Sequence, residues 1–187
     1  MRIRIVDIPP EGRDLEFDLD VAALNRRVGI GDSQPKDSVK LDSADYQFQA
    51  PVHVRLNLQL EGSTVVIHGD ASANFQATCS RCAETATQHL DVPIDLLLKP
   101  ASARARQGDG DEDVSFGFYE GQDVECDPFA EEYLILALPY VVLCREDCKG
   151  LCARCGADLN RGPCACPEEK PAEGPLGILS QIKNLVH

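Results

Sequence analysis

Tryptophan is absent, methionine occurs once, and aromatic side chains make up only 5% of the 187 residues. A core must therefore be built from Val, Leu, Ile and Ala. No stretch reaches the roughly 20 apolar residues that a membrane-spanning helix needs. Met1-Arg2-Ile3-Arg4-Ile5-Val6-Asp7 also lacks the continuous apolar run of a secretory signal. Together these point to a cytoplasmic protein without a membrane partner. The familiar catalytic constellations are missing as well: no P-loop, no G-x-G-x-x-G, no G-x-S-x-G, no H-E-x-x-H and no zinc-deaminase signature. Of the four histidines, His53 and His68 fall on the polar sides of strands, and His89 and His187 lack ligand spacing. The expectation is a protein that is not an enzyme and takes no small-molecule substrate.

Positive charge is missing from one region. Residues 107–133 hold ten acidic and no basic side chains, and this region accounts for most of the net charge of −13. Such a surface repels phosphate backbones, so any contact with nucleic acid must be local.

Cysteine, by contrast, is dense. Six of the nine cysteines fall within 23 residues as Cys144-x3-Cys148-x3-Cys152-x2-Cys155-x8-Cys164-x-Cys166. With few apolar side chains to bury, this segment needs a cross-link to hold one shape. In a reducing compartment metal is favoured over disulfides or free thiols, and an odd cysteine total fits a disulfide framework poorly. A redox or iron–sulfur role is the remaining alternative. Cys152-Ala153-Arg154-Cys155-Gly156 has the form of a zinc knuckle, two thiolates at C-x2-C spacing followed by a glycine that relaxes the turn. The compact ligand set is Cys144, Cys148, Cys152 and Cys155 around one Zn2+, with Cys164 and Cys166 as substitutes. Cys79-Ser80-Arg81-Cys82 is a possible second element. It reads as half of a zinc site completed by another cysteine, a site shared between protomers, a redox pair, or two small buried thiols. An all-cysteine zinc is coordinatively closed, so the metal is expected to be structural.

Along the chain, Arg2–Val6 and Leu15–Leu19 alternate and predict a hairpin through Pro9-Pro10-Glu11-Gly12. Asp20 is placed to cap a helix over Val21–Val28, and Gly31–Ser43 reads as a loop. Three long alternating segments follow: Val52–Leu60, Val65–Cys79 and Leu90–Leu98. They predict an antiparallel meander. Residues 99–113 read as a loop, and Val114–Val124 as a second small hairpin turning at Glu120-Gly121-Gln122. Asp127-Pro128 starts a helix near residues 127–138, with Asp127 as N-cap. Beyond Cys166, a linker leads to an amphipathic helix carrying Leu176, Leu179, Ile182 and Leu185 or Val186. The fold class is α+β. It has an antiparallel β-sheet main domain over residues 1–139, open or barrel-like, then a cysteine-rich zinc module at 140–166 and a linker and terminal helix at 167–187.

The run from Leu138-Pro139 through Cys144-Arg145-Glu146-Asp147-Cys148-Lys149-Gly150-Leu151-Cys152, on to Asn160 and Cys164-Ala165-Cys166, resembles the C-terminal half of the YceD family. Cys79-Ser80-Arg81-Cys82 is similar to that family's C-x-R-C element. The resemblance implies a role in accumulation of large-subunit (23S) ribosomal RNA, and so in ribosome biogenesis, without implying a mechanism. Arg81, Arg145, Lys149, Arg154 and Arg161 are the candidate RNA contacts, while the acidic region suits a basic ribosomal or assembly protein. The expected function is a non-enzymatic accessory factor with a structural zinc. The alternative is a zinc- or redox-responsive regulatory binding protein.

Overall fold

The computed structural model describes residues 1–28, 46–106 and 116–167. The expected loop at Gly31–Ser43, the acidic stretch at 107–115 and the terminal amphipathic helix lie outside them. The described chain is mostly β-sheet with two α-helices.

The three alternating segments become long strands: β3 (Gln47–Glu61), β4 (Thr64–Thr78) and β5 (Thr85–Pro100). They form the expected meander. Alternation works because register aligns the apolar positions across strands, as in the rows Val54, Ala71, Val92 and Leu58, Ile67, Leu96. All six are buried. Gly69 sits where a Cβ would come within 2.0 Å of the Arg55 carbonyl, so only glycine lets β3 and β4 approach there.

The opposite face is wet and ionic. His53 meets Asp18 at 2.6 Å, His68 meets Asp95 at 2.6 Å, and Arg55 meets Asp70 at 2.8 Å. Both histidines are on the polar face, as their place in the alternation requires.

β2 (Arg13–Asp18) pairs with β3, and β6 (Phe116–Tyr119) runs parallel to β5, giving a five-stranded mixed sheet of order β2-β3-β4-β5-β6. Among the described residues the sheet has two free edges, so it is open rather than a closed barrel. Among the described residues neither small hairpin forms a continuous ladder. β1 (Arg2–Arg4) pairs instead with β7 (Asp123–Glu125), because Ile5–Asp7 winds into a short 3-10 turn that diverts the chain before β2. Glu120 and Asp123 keep only a single bridge of the second.

Two helices close the apolar face. In α1 (Val21–Arg27), the Asp20 carboxylate accepts from the Ala22 amide at 2.9 Å, the expected cap. α2 (Asp127–Leu136) begins one residue early, with Cys126 at the N-cap and Asp127 in the first turn. Leu24 of α1 and Ala130, Leu134 and Ile135 of α2 join one core with the sheet, Val124 and Val142. After α2 the chain is tied back by Tyr46, whose buried hydroxyl donates to the Pro139 carbonyl. That tie delivers Cys144 to the β4–β5 end of the sheet.

Candidate metal centres

The cysteines converge in two groups of four. One is Cys79, Cys82, Cys144 and Cys148; the other is Cys152, Cys155, Cys164 and Cys166. Within each group the sulfurs all lie within 4.8 Å of one another. The expected single set of Cys144, Cys148, Cys152 and Cys155 is therefore divided two and two. The substitutes Cys164 and Cys166 complete one half, and the second element Cys79 and Cys82 completes the other.

The first group joins distant parts of the chain. Cys79 and Cys82 flank the β4–β5 connection, which closes with the Cys79 amide donating to the Glu84 carbonyl at 2.8 Å. Cys144 and Cys148 arrive from beyond α2. The Ser80 backbone amide donates to the Val142 carbonyl at 2.8 Å, and the Gln88 side-chain Nε2 donates to the Leu143 carbonyl at 3.1 Å. The Leu151 amide donates to the Arg81 carbonyl at 3.0 Å. Gly150 presses so close that a Cβ would meet that carbonyl at 2.8 Å, and its φ of +75° also favours glycine. The stretch Lys149–Leu151 thus lies along Arg81 and carries the chain from one group to the other.

The second group is local. The Cys152 amide donates to the Ala157 carbonyl at 2.8 Å, Leu151 bridges Asp158, and Asn160 caps the turn by donating to Asp158.

The two C-x-R-C turns share one geometry. The Ala83 amide donates to the Cys79 carbonyl at 2.9 Å, and the Gly156 amide donates to the Cys152 carbonyl at 2.9 Å. The residue after the turn is left-handed in both, with φ 58° at Ala83 and 70° at Gly156. In each turn two backbone amides aim at the leading sulfur, those of Arg81 and Cys82 at Cys79, and those of Arg154 and Cys155 at Cys152.

Burial alone would raise the Cys79 thiol. The amides outweigh it and bring Cys79 down to about 6. Cys152 falls to about 6 chiefly through the Cys155 and Arg154 amides. A proton is retained elsewhere in each group: burial and the neighbouring sulfurs push Cys144 up to about 12, and bonding to Cys155 with burial does the same for Cys166. Four thiols facing one another cannot all ionise without a cation among them.

The donor sets fit a single soft ion. With Zn–S bonds of about 2.3 Å, a tetrahedron has sulfur–sulfur edges of about 3.8 Å. Cys79 and Cys148 are 3.8 Å apart, Cys82 and Cys144 3.6 Å, and Cys152 and Cys164 3.4 Å. Iron–sulfur cubes carry a thiolate on each iron and hold their cysteines farther apart than this. Either group can hold one metal ion.

Residues 67–183, which include all eight clustered cysteines, match the family model described as large ribosomal RNA subunit accumulation protein YceD. The chain belongs to the YceD family. It is 26% identical over 185 residues to the chloroplast protein of Zea mays named large ribosomal RNA subunit accumulation protein YCED homolog 1, covering 79% of this chain and 63% of that one. The Arabidopsis thaliana homolog 1 is 23% identical, over 76% of this chain and 53% of its own length. An uncharacterized protein of Mycobacterium leprae is 25% identical, over 75% and 66%. The chain thus spans less than two thirds of the length of these relatives. No solved structure matches it.

The candidate RNA contacts are spread over both groups, and most are already engaged. Arg81 donates to the Cys148 carbonyl at 2.8 Å, and Arg145 pairs with Asp147 at 3.3 Å. Arg161 is held by Glu84 at 3.1 Å and Asp158 at 3.2 Å, and Arg154 donates to the Pro167 carbonyl at 3.1 Å. Lys149 lines a shallow groove with Arg81, Cys148, Leu159, Gly162 and Pro163.

Asn160 plays a part that sequence reading missed. Its side-chain nitrogen lies 3.5 Å from the Cys148 sulfur, while its side-chain oxygen accepts from the Lys149 amide at 2.8 Å. It ties the Asp158 turn to Cys148 and Lys149. The ninth cysteine, Cys126, is buried in the core at the start of α2, where burial pushes its thiol up to about 11.

Proposed function

We propose that the protein is a non-enzymatic accessory factor for accumulation of large-subunit ribosomal RNA, with zinc as a structural ion in its cysteine-rich segment. The observation that carries this reading is family membership across residues 67–183, with two plant relatives named for that role. Zinc suits the knuckle of Cys152, Cys155, Cys164 and Cys166, and four thiolates leave it no open position for water or substrate. Reduced thiols suit a cytoplasmic setting, and no helix among the described residues is long and apolar enough to cross a membrane.

The geometry moves the balance between partners. Four of the five candidate cations are spent on protein groups, whereas the outer sheet face carries Asp14, Glu16, Asp18, Asp70, Asp91 and Asp95 against the two cations Arg55 and Lys99. This favours a basic ribosomal or assembly protein over the rRNA itself as the direct partner.

Depletion of the protein in its own cells tests the function. Large-subunit rRNA is expected to fall relative to small-subunit rRNA and to recover with the wild-type chain; an unchanged ratio would overturn the reading. Crosslinking in the same cells identifies whether a basic protein or rRNA is held.

A further inference from the structure

We propose that Cys79, Cys82, Cys144 and Cys148 form a second metal site, independent of the knuckle at Cys152–Cys166. It takes a thiophilic divalent ion of zinc's size and clasps the cysteine-rich segment onto the β4–β5 end of the sheet. The chain then carries two ions. This inference rests on the cysteine groups alone and stands or falls apart from the rRNA role.

Three independent observations converge on it. The first is the sulfur spacing, 3.8 Å and 3.6 Å across two pairs that come from opposite sides of the site, matching the edges of a zinc tetrathiolate. The second is the surrounding shell: the Asn160 side-chain nitrogen lies 3.5 Å from the Cys148 sulfur, as donors do around metal-bound thiolates. The third is repetition. The Cys79–Ala83 turn reproduces the bonds and the left-handed fifth residue of the Cys152–Gly156 knuckle, at the strain of a non-glycine residue there.

Burial shows what the ion would hold. Cys79, Cys82 and Cys148 are nearly inaccessible and pack with Leu143 as a small cluster apart from the main core. Among the described residues, the rest of the attachment between sheet and segment is Val142 in the main core, the Arg161–Glu84 ion pair and a handful of backbone and side-chain hydrogen bonds. On binding, the thiols still protonated release their protons to solvent and four S–metal bonds form; no electron moves.

The test uses the full-length chain purified under reducing conditions, with native mass spectrometry and Co2+ substitution as readouts. Wild type should carry two ions per chain and give the absorption of tetrahedral cobalt tetrathiolate at both. Cys79→Ser with Cys82→Ser should retain one ion, and protease should then cut between residues 137 and 150. Cys164→Ser with Cys166→Ser should also retain one ion, but that segment should stay protected. Should the first double variant aggregate, the single variant Cys144→Ser, altering the most open ligand, gives the same count of one. One ion per wild-type chain, or two ions in the Cys79/Cys82 variant, would overturn the proposal.

Discussion

The two cysteine groups use the same turn and differ in what the turn is attached to. The first closes a long loop, since Cys79 and Cys148 are 69 residues apart, and hides three of its four sulfurs. The second closes a short one, with Cys152 and Cys164 only 12 apart, and none of its sulfurs is buried. Loop-closure entropy grows as the logarithm of length, so the longer closure restricts the unfolded chain more, by about 1.5 kcal/mol. Identical ligands in identical turns thus do different work. One group holds two regions together, whereas the other shapes a surface.

The largest effect should come from breaking that difference at the clasp. Cys148→Ser removes a buried ligand, and loss of a metal belongs with the costliest substitutions, so about 4 kcal/mol and a fall in melting temperature of about 10 °C are expected. Cys155→Ser, at an exposed ligand, should leave the unfolding of the sheet close to wild type while abolishing order around residues 152–166. Calorimetry of both variants checks this. Equal melting temperatures would erase the distinction.

A smaller separation should appear in kinetics. Cys155 is open to solvent, so a mild oxidant or chelator should strip the second group first, with one ion leaving before the other is measurably lost. Zinc release followed with a chromogenic chelator would show two phases. This also probes the regulatory alternative, which requires the early phase to change binding of a partner.

Acid should affect the groups alike. Cys79 and Cys152, each drawn from the ordinary 9.0 to about 6, add stability to the metal-free chain that is complete above pH 9 and is lost as pH falls through 6. Cys144 and Cys166, each held up to about 12, add stability that is complete below pH 9 and is lost as pH rises toward 12. Protons also compete with the ion for thiolates, so apparent affinity should fall with pH for both sites. A titration showing pH dependence at only one site would break the equivalence of their ligand chemistry.

How much of this was legible depended on sequence distance. The alternation of Val52–Leu60, Val65–Cys79 and Leu90–Leu98 survives in β3, β4 and β5 except at the β3–β4 turn, where Leu60 is exposed and Val66 buried, because a period of two with one wet face leaves a single register. Pairings that depend on where a chain turns were lost, as with β1, which meets β7 after more than a hundred residues. The ligand set failed for the same reason. Nearness in sequence grouped Cys144 and Cys148 with Cys152 and Cys155, but the passage of Lys149–Leu151 along Arg81 sends the two pairs apart. One signal was available: C-x-R-C occurs twice, and eight clustered cysteines make two complete sets of four rather than one with spares.

The finest contrast is between the fifth residues of the two turns. Gly156 adopts φ 70° with nothing within 4 Å of the place a Cβ would take, so Gly156→Ala should cost only the left-handed backbone term, about 1 kcal/mol. Ala83 already bears that strain at φ 58° on an exposed turn. Replacing it with glycine relieves the strain but frees the unfolded chain, so Ala83→Gly should stabilise by roughly 0.5 kcal/mol, a rise of about 1–2 °C. Both variants should keep their full metal content, because neither touches a sulfur. If Ala83→Gly proved destabilising, the methyl group would be packing against something the turn needs. The clasp and the knuckle would then differ in the turn itself as well as in its attachments.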